Sequence, residues 1–310
     1  MKTERLQHVA AVGVAIVLVA GLVVLPLATV FYEALRAGLG AFATVFSEPY
    51  AQSAIRLTLI VATATVAFNA AFGMLAAWTI AKYRFGGKAF LLAAIDLPLT
   101  VSPVVAGLAI LLTVGPHTAP GAWLLARGLH VAFAPAGIVL ATIFVTFPYV
   151  ARELTVFLQE QGRELEEAAL SMGASVWQTF WRVTLPNAKW ALLNGVLLCN
   201  ARAMGEFGAV SVISGRIRGQ TDTVPLHIEI LYNENTFVGA FALAASLAML
   251  TMLLSGFRAL VEARTHGRPV PDAARDVPRA GEFARDSGLG RARVAPRIGL
   301  DASTALLTEL

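Results

Sequence analysis

Six apolar runs dominate this chain, at residues 9 to 32, 57 to 81, 90 to 112, 131 to 151, 190 to 213 and 238 to 260. A helix crosses the hydrocarbon core of a bilayer with about 20 mostly apolar residues at ~1.5 Å each, so every run has spanning length. Lipid gives the backbone no hydrogen-bond partners. Runs of this length without period-2 alternation therefore predict helices rather than barrel strands. The expected class is all-α: a polytopic membrane protein with six transmembrane helices. Composition agrees, at 57% hydrophobic and 14% charged residues, against roughly 45–50% and about 25% in soluble domains.

The first run follows Lys2 and Arg5 as a secretion signal would. It is too long for a signal core and no small-residue cleavage site ends it, so a retained first span is expected. Cys199 stands alone within a run, which leaves no disulfide framework and no cysteine metal cluster.

With six spans, most of the basic residues flanking them fall on one side: Lys2 and Arg5; Lys82, Arg84 and Lys88; Arg152, Arg163, Arg182 and Lys189; Arg258, Arg264 and Arg268. By the positive-inside rule that side is cytoplasmic, and both termini lie there. Segments 33 to 56, 113 to 130 and 214 to 237 lie opposite; each also holds some arginine, so the bias is a tendency and not a clean partition. Residues 265 to 310 have no long apolar run and mix prolines, glycines, arginines and acids. Such a segment buries too little to offset its ordering entropy, and a disordered cytoplasmic tail is expected. The net charge of +4 is spread over loops and tail, which suits anionic lipid headgroups rather than nucleic acid.

The loop from 152 to 189 is too helix-prone for a plain connector. GRELEEAALSMG carries good helix formers up to Gly173, a residue suited to end a helix in the left-handed conformation. Glu164, Glu166 and Glu167 lead in. Beyond it, in ASVWQTFWRVTLP, Trp177, Phe180 and Trp181 share one helical face. That face either packs on the protein's own span ends or serves a partner. Pro186 is expected to break or restart the chain before the fifth span.

The spacing of Glu167, Ala168, Ala169, Gly173, Val183, Leu185 and Pro186 resembles the EAA loop of the membrane subunits of bacterial ATP-binding cassette importers. The resemblance covers roughly residues 9 to 262, and implies a type I importer permease fold in the bacterial inner membrane. It assigns Glu167, Ala168, Ala169, Gly173, Leu185 and Pro186 to coupling helices that dock on an ATPase subunit. IDLPLTVSPVVAGL, ATIFVTFPYVAREL and CNARAMGEFGAVSVISGRIRGQTDTVPLHIEILYNE further resemble the W-type subunit of the sulfate/thiosulfate permeases. The partners so implied are a T-type permease in a heterodimer, two ATPase copies carrying ATP and Mg, and a soluble sulfate-binding protein. This chain would bind no cofactor and catalyse nothing alone. Consistently, its nearest glycine-lysine pair, Gly87-Lys88, lacks the rest of a phosphate-binding loop. The tail from 265 departs from that family's pattern.

Charges inside spans are expensive, so each implies a partner or a water-lined path. Arg202 and Glu206 are four apart in the fifth run; they either neutralise each other or serve an anion path together. Ser102, Pro103 and Gly107 predict a broken, pathway-lining third span. Asp96, close to Pro98, is expected to bond backbone groups freed by the proline. Arg216 and Arg218 at the outer mouth either attract a dianion or a binding protein, or are solvated loop charges. Two cargo and class alternatives stand beside sulfate: a molybdate or tungstate permease, and an ion-driven secondary transporter. An intramembrane enzyme has no His-Glu-x-x-His helix and no histidine-cysteine grouping to support it.

Overall fold

The computed structural model describes the backbone of residues 2–266 and the side chains of 12–15 and 17–260. The tail expected at 265–310 thus lies, beyond His266, outside the described residues. Among the described residues thirteen α-helices occur in the order α1 (Lys2–Arg36), α2 (Leu39–Val45), α3 (Pro49–Lys82), α4 (Lys88–Thr100), α5 (Pro103–Val114), α6 (Ala119–Leu125), α7 (Pro135–Glu160), α8 (Glu164–Ser171), α9 (Val176–Thr179), α10 (Leu185–Met204), α11 (Gly208–Ile213), α12 (Val224–Asn233) and α13 (Phe237–His266). A single π-helical turn, Phe180–Thr184, joins α9 to α10. Among the described residues there is no strand.

Among the described residues, six unbroken spans are not found. Four helices among the described residues are long and apolar enough to cross a membrane: Val12–Arg36, Pro49–Lys82, Pro135–Glu160 and Phe237–Leu260, with α4 and α5 a fifth if the bent pair is one span. The expected span 90 to 112 is this pair, bent by 113°. Pro103 has no N–H to continue the ladder and its ring drives the preceding residue out of the helical region, and Ser102 is accordingly extended at ψ 134°. The expected span 190 to 213 begins earlier, at Leu185, and stops at Met204. Asn187, Lys189, Asn194, Asn200 and Arg202 make α10 too polar to count as a span by composition.

Helices α3, α7 and α10 form the centre. Near the Lys82 end their core joins Met74, Ala77, Val150, Leu154, Phe180 and Cys199; toward the other end it joins Leu57, Val61, Ile138, Val145 and Ile213. Small residues set the approach: a Cβ on Gly73 would lie 3.0 Å from Val150 Cγ1. Such contacts suit helices that associate where no water drives them together. One polar node crosses all three helices, with Asn69 Nδ2 donating to Thr146 Oγ1 at 2.9 Å and contacting Cys199 Sγ at 3.4 Å.

The two ends of α3 meet different segments of the chain. Lys82 meets Gly162 and Glu166 at one end of α3. At the other end Ser53 donates to the Gly219 carbonyl and the Val224 amide donates to Thr58. By contrast, the apolar window of α1 is wholly unburied, its Val17, Leu18, Leu22 and Leu25 facing outward.

Candidate functional site: the 161–186 segment and two paired helix breaks

Helix α8 ends in a Schellman motif: the Ala174 amide donates to the Ala169 carbonyl at 3.1 Å and the Gly173 amide to Leu170 at 3.0 Å. That closure requires a left-handed residue, and Gly173 supplies it at φ 88°. Open space surrounds the position, with nothing within 4 Å of a Cβ built there. Ser175 then starts α9 with a full capping box: its hydroxyl accepts from the Gln178 amide at 3.3 Å, and its own amide donates to Gln178 Oε1 at 2.9 Å. The turn between the two helices is fixed by local chemistry at both ends.

Pro186 does not break the chain. Helix α9 runs through the wide π turn into α10, where Pro186 occupies the first turn. The π turn just before Pro186 widens the hydrogen-bond ladder, with the Leu185 amide donating to the Phe180 carbonyl, and so accommodates a residue that has no N–H to donate. The residues of the EAA spacing divide between two faces. Glu167, Ala168, Gly173 and Pro186 are exposed, Leu185 is half-buried and Ala169 is buried, so Ala169 lets α8 lie close to the body rather than baring a docking face. Met172 is 82% exposed beside Gly173.

The aromatic face also divides. Phe180 is buried, its ring 4.9 Å from that of Trp78 on α3 and 5.9 Å from Trp177. Trp177 and Trp181 are each 60% exposed. Packing on the protein's own span thus accounts for Phe180, while the two tryptophans keep most of their surface outside it.

The charge that matters to this packing is Glu166, not its neighbour in the motif. Its carboxylate lies 2.9 Å from Lys82 Nζ, with side chains only 10% and 7% exposed. Glu166 Oε1 also accepts from the Thr184 hydroxyl at 3.1 Å, and Lys82 donates to the Gly162 carbonyl. A cleft of about 160 Å³ opens beside this node, lined by Trp78, Tyr83, Arg163 and Glu167 among others. In the sequence, Glu166 is one of three acids and Lys82 one of many topological cations. Their pairing spans more than eighty positions, and no local pattern announces it.

The two broken helices meet at their breaks. A Cβ on Gly107 in α5 would lie 2.5 Å from the Ala209 carbonyl oxygen in α11, and one on Gly208 would lie 2.9 Å from Pro103 Cβ. Ser102 and Pro103 form the α4–α5 corner. Residues 205–207 form the α10–α11 corner, where Glu206 Oε1 accepts the Ala209 amide at 2.9 Å. Its other oxygen is 2.6 Å from Arg202 Nη1. The pair expected from spacing therefore exists, but Glu206 stands at the break and caps the next helix. Asp96 does not serve the backbone near Pro98 as expected; its described partner is Arg152 of α7, at 3.3 Å.

The outer arginines have carboxylate partners. Arg216 lies 3.3 Å from Glu229, and Arg218 pairs with Glu234. That hydrogen bond holds the Glu234 carboxyl below its ordinary pKa and the Arg218 guanidinium above its own. Their charge is thus neutralised locally, which favours plain loop pairing over attraction of an anion. Among the described residues no group of three or more His, Cys, Asp or Glu is placed to hold a metal.

A bundle of unbroken and broken apolar helices, with a helix–turn–helix segment bared at one end, defines the class. The family described as binding-protein-dependent transport system inner membrane component matches residues 69–267, and the chain belongs to it. It is 45% identical over 241 residues to the sulfate transport system permease protein CysW of Synechocystis sp., covering 78% of this chain and 87% of the relative. To CysW of Escherichia coli (strain K12) it is 43% identical over 253 residues, 82% of this chain and 87% of the relative. To CysT of the same strain it is 34% identical over 242 residues, 78% and 87%. A crystal structure of a bacterial alginate ABC transporter shares the fold, with TM-score 0.68 and 17% identity over 87% of this chain and 99% of that one.

Proposed function

We propose that this chain is the W-type permease subunit of an ATP-driven sulfate and thiosulfate importer in the bacterial inner membrane. The observation that carries the proposal is its 43–45% identity, over most of its length, to permeases named for sulfate transport. The lower identity to CysT suggests that a T-type subunit is its partner, the two chains forming a heterodimer around the translocation pathway. A soluble binding protein delivers the anion from outside. Two copies of an ATPase subunit, carrying ATP and Mg, act from the cytoplasm, where both termini of this chain lie.

In this scheme the ATPase grips the exposed side of the 164–186 segment through Glu167, Ala168 and Gly173. Buried Ala169 and half-buried Leu185 seat that segment on the body, and exposed Pro186 lies at its exit into α10. Open space over Gly173 and the bared Met172, Trp177 and Trp181 support a docking face, because large exposed apolar groups mark interaction surfaces. Nucleotide shifts access only by contacting the inward and outward states differently. The paired breaks at Ser102, Pro103, Gly107, Arg202 and Glu206 lie along the pathway, as interrupted helices do in other transporters. Lipid covers the outward side chains of α1.

Labelled-sulfate uptake, in cells lacking their own sulfate permease and supplied with the complete set of subunits, tests the cargo. Uptake competed by thiosulfate and resistant to excess molybdate is expected. Absence of sulfate uptake from an assembled complex, with uptake of molybdate in its place, would overturn the assignment.

A further inference from the structure

The pair Lys82–Glu166 lies away from the exposed side of α8 and is buried where the segment meets the end of α3. It touches that segment at three points: Gly162 at the entry, Glu166 in α8, and Thr184 at the exit into α10. One helical turn before Lys82, Trp78 holds the same body through Phe180 and Trp177, at ring distances of 4.9 and 6.4 Å. Stability alone does not require an ion pair here, since well-packed apolar residues often replace a buried pair without loss. What an ion pair adds is one fixed register between two bodies.

We propose that Lys82 and Glu166 are positioning residues that make the coupling segment and α3 move as one lever, so that displacement of the docking face is delivered into the central bundle. This rests on the docking assignment above and names the link that would carry its motion. Coupling between distant sites needs such a connected element with two discrete positions. Glu166 acts through Lys82 and not on the ATPase, since Glu167, Ala168 and Gly173 face outward while Glu166 faces in.

The test uses the complete importer in vesicles, with ATPase and binding protein, and reads transport per ATP hydrolysed. Removing one partner strands a buried charge, so the informative variant is the double apolar replacement Lys82→Met with Glu166→Leu. It is expected to assemble with the ATPase and hydrolyse ATP, while transport per ATP falls about tenfold. Lys82→Arg, with Glu166 kept, retains a cation that can donate both to Glu166 and to the Gly162 carbonyl, and is expected to keep coupling. A double apolar variant that transports within about twofold of the parent per ATP, or that loses the ATPase, overturns the positioning role. Gly173→Asp in the same vesicles reads docking separately. If Gly173→Asp impairs ATPase binding while the double apolar variant stays coupled, docking stands and positioning falls. If ATPase binding and uptake ignore Gly173→Asp, docking falls and positioning falls with it.

Discussion

Glu206 stands 2.6 Å from Arg202 while capping the Ala209 amide, so a single buried carboxylate both balances a charge in α10 and opens α11. Two demands meet on one residue. Glu206→Gln keeps an oxygen for the amide but leaves Arg202 without its counter-charge. A loss of about 1–3 kcal/mol is expected, from the lost ion pair and the guanidinium left without its counter-charge. Thermal unfolding of the purified permease pair measures it. An unchanged Tm together with normal uptake would show that the ion pair matters to neither the break nor the pathway.

Gly107 and Ala209 should tolerate no added carbon between them. The atom met by a Cβ on Gly107 is backbone oxygen at 2.5 Å, which no rotamer change relieves. Gly107→Ala is expected to destabilise by about 1–3 kcal/mol through overpacking. Gly21→Ala, in α1 with nothing within 4 Å, serves as the control and should be neutral or slightly stabilising, since alanine favours a helix more than glycine does. Equal effects at both positions would mean that the two broken helices do not meet as closely as described.

Cys199 is fully buried and contacted by Asn69. As the lone thiol it gives a clean probe of the α3–α7–α10 core. A membrane-permeant maleimide should label it only after denaturation. Rapid labelling of the folded protein would show the core open at that depth.

Local chemistry was legible in the sequence. Gly173 as a left-handed helix end follows from residue type alone, and Ser102-Pro103 breaks its helix because a proline and its predecessor leave little choice. The i,i+4 spacing of Arg202 and Glu206 announced their pairing. What escaped was partner choice across the bundle: Glu166 with Lys82, Arg152 with Asp96, and Asn69 with Thr146 are set by packing, which residue spacing does not encode. Two helix boundaries also depend on packing: α10 does restart at Leu185, with Pro186 in its first turn, but the chain does not break there. Pro186 passes through because a π turn absorbs it, and the run from 190 to 213 divides because Glu206 turns inward to cap the next helix. The acid beside Gly205 was the signal there.

The central claim is that an ATPase drives this permease through the face around Gly173. Aspartate tolerates positive φ better than most residues, so Gly173→Asp should keep the Schellman turn while placing charge and bulk on the docking face. The decisive measurement is labelled-sulfate uptake by the assembled importer with and without that change, alongside co-purification of the ATPase. The expected result is a permease pair that still assembles in the membrane, loses its ATPase and takes up no sulfate. Full uptake with the ATPase still bound would contradict the account.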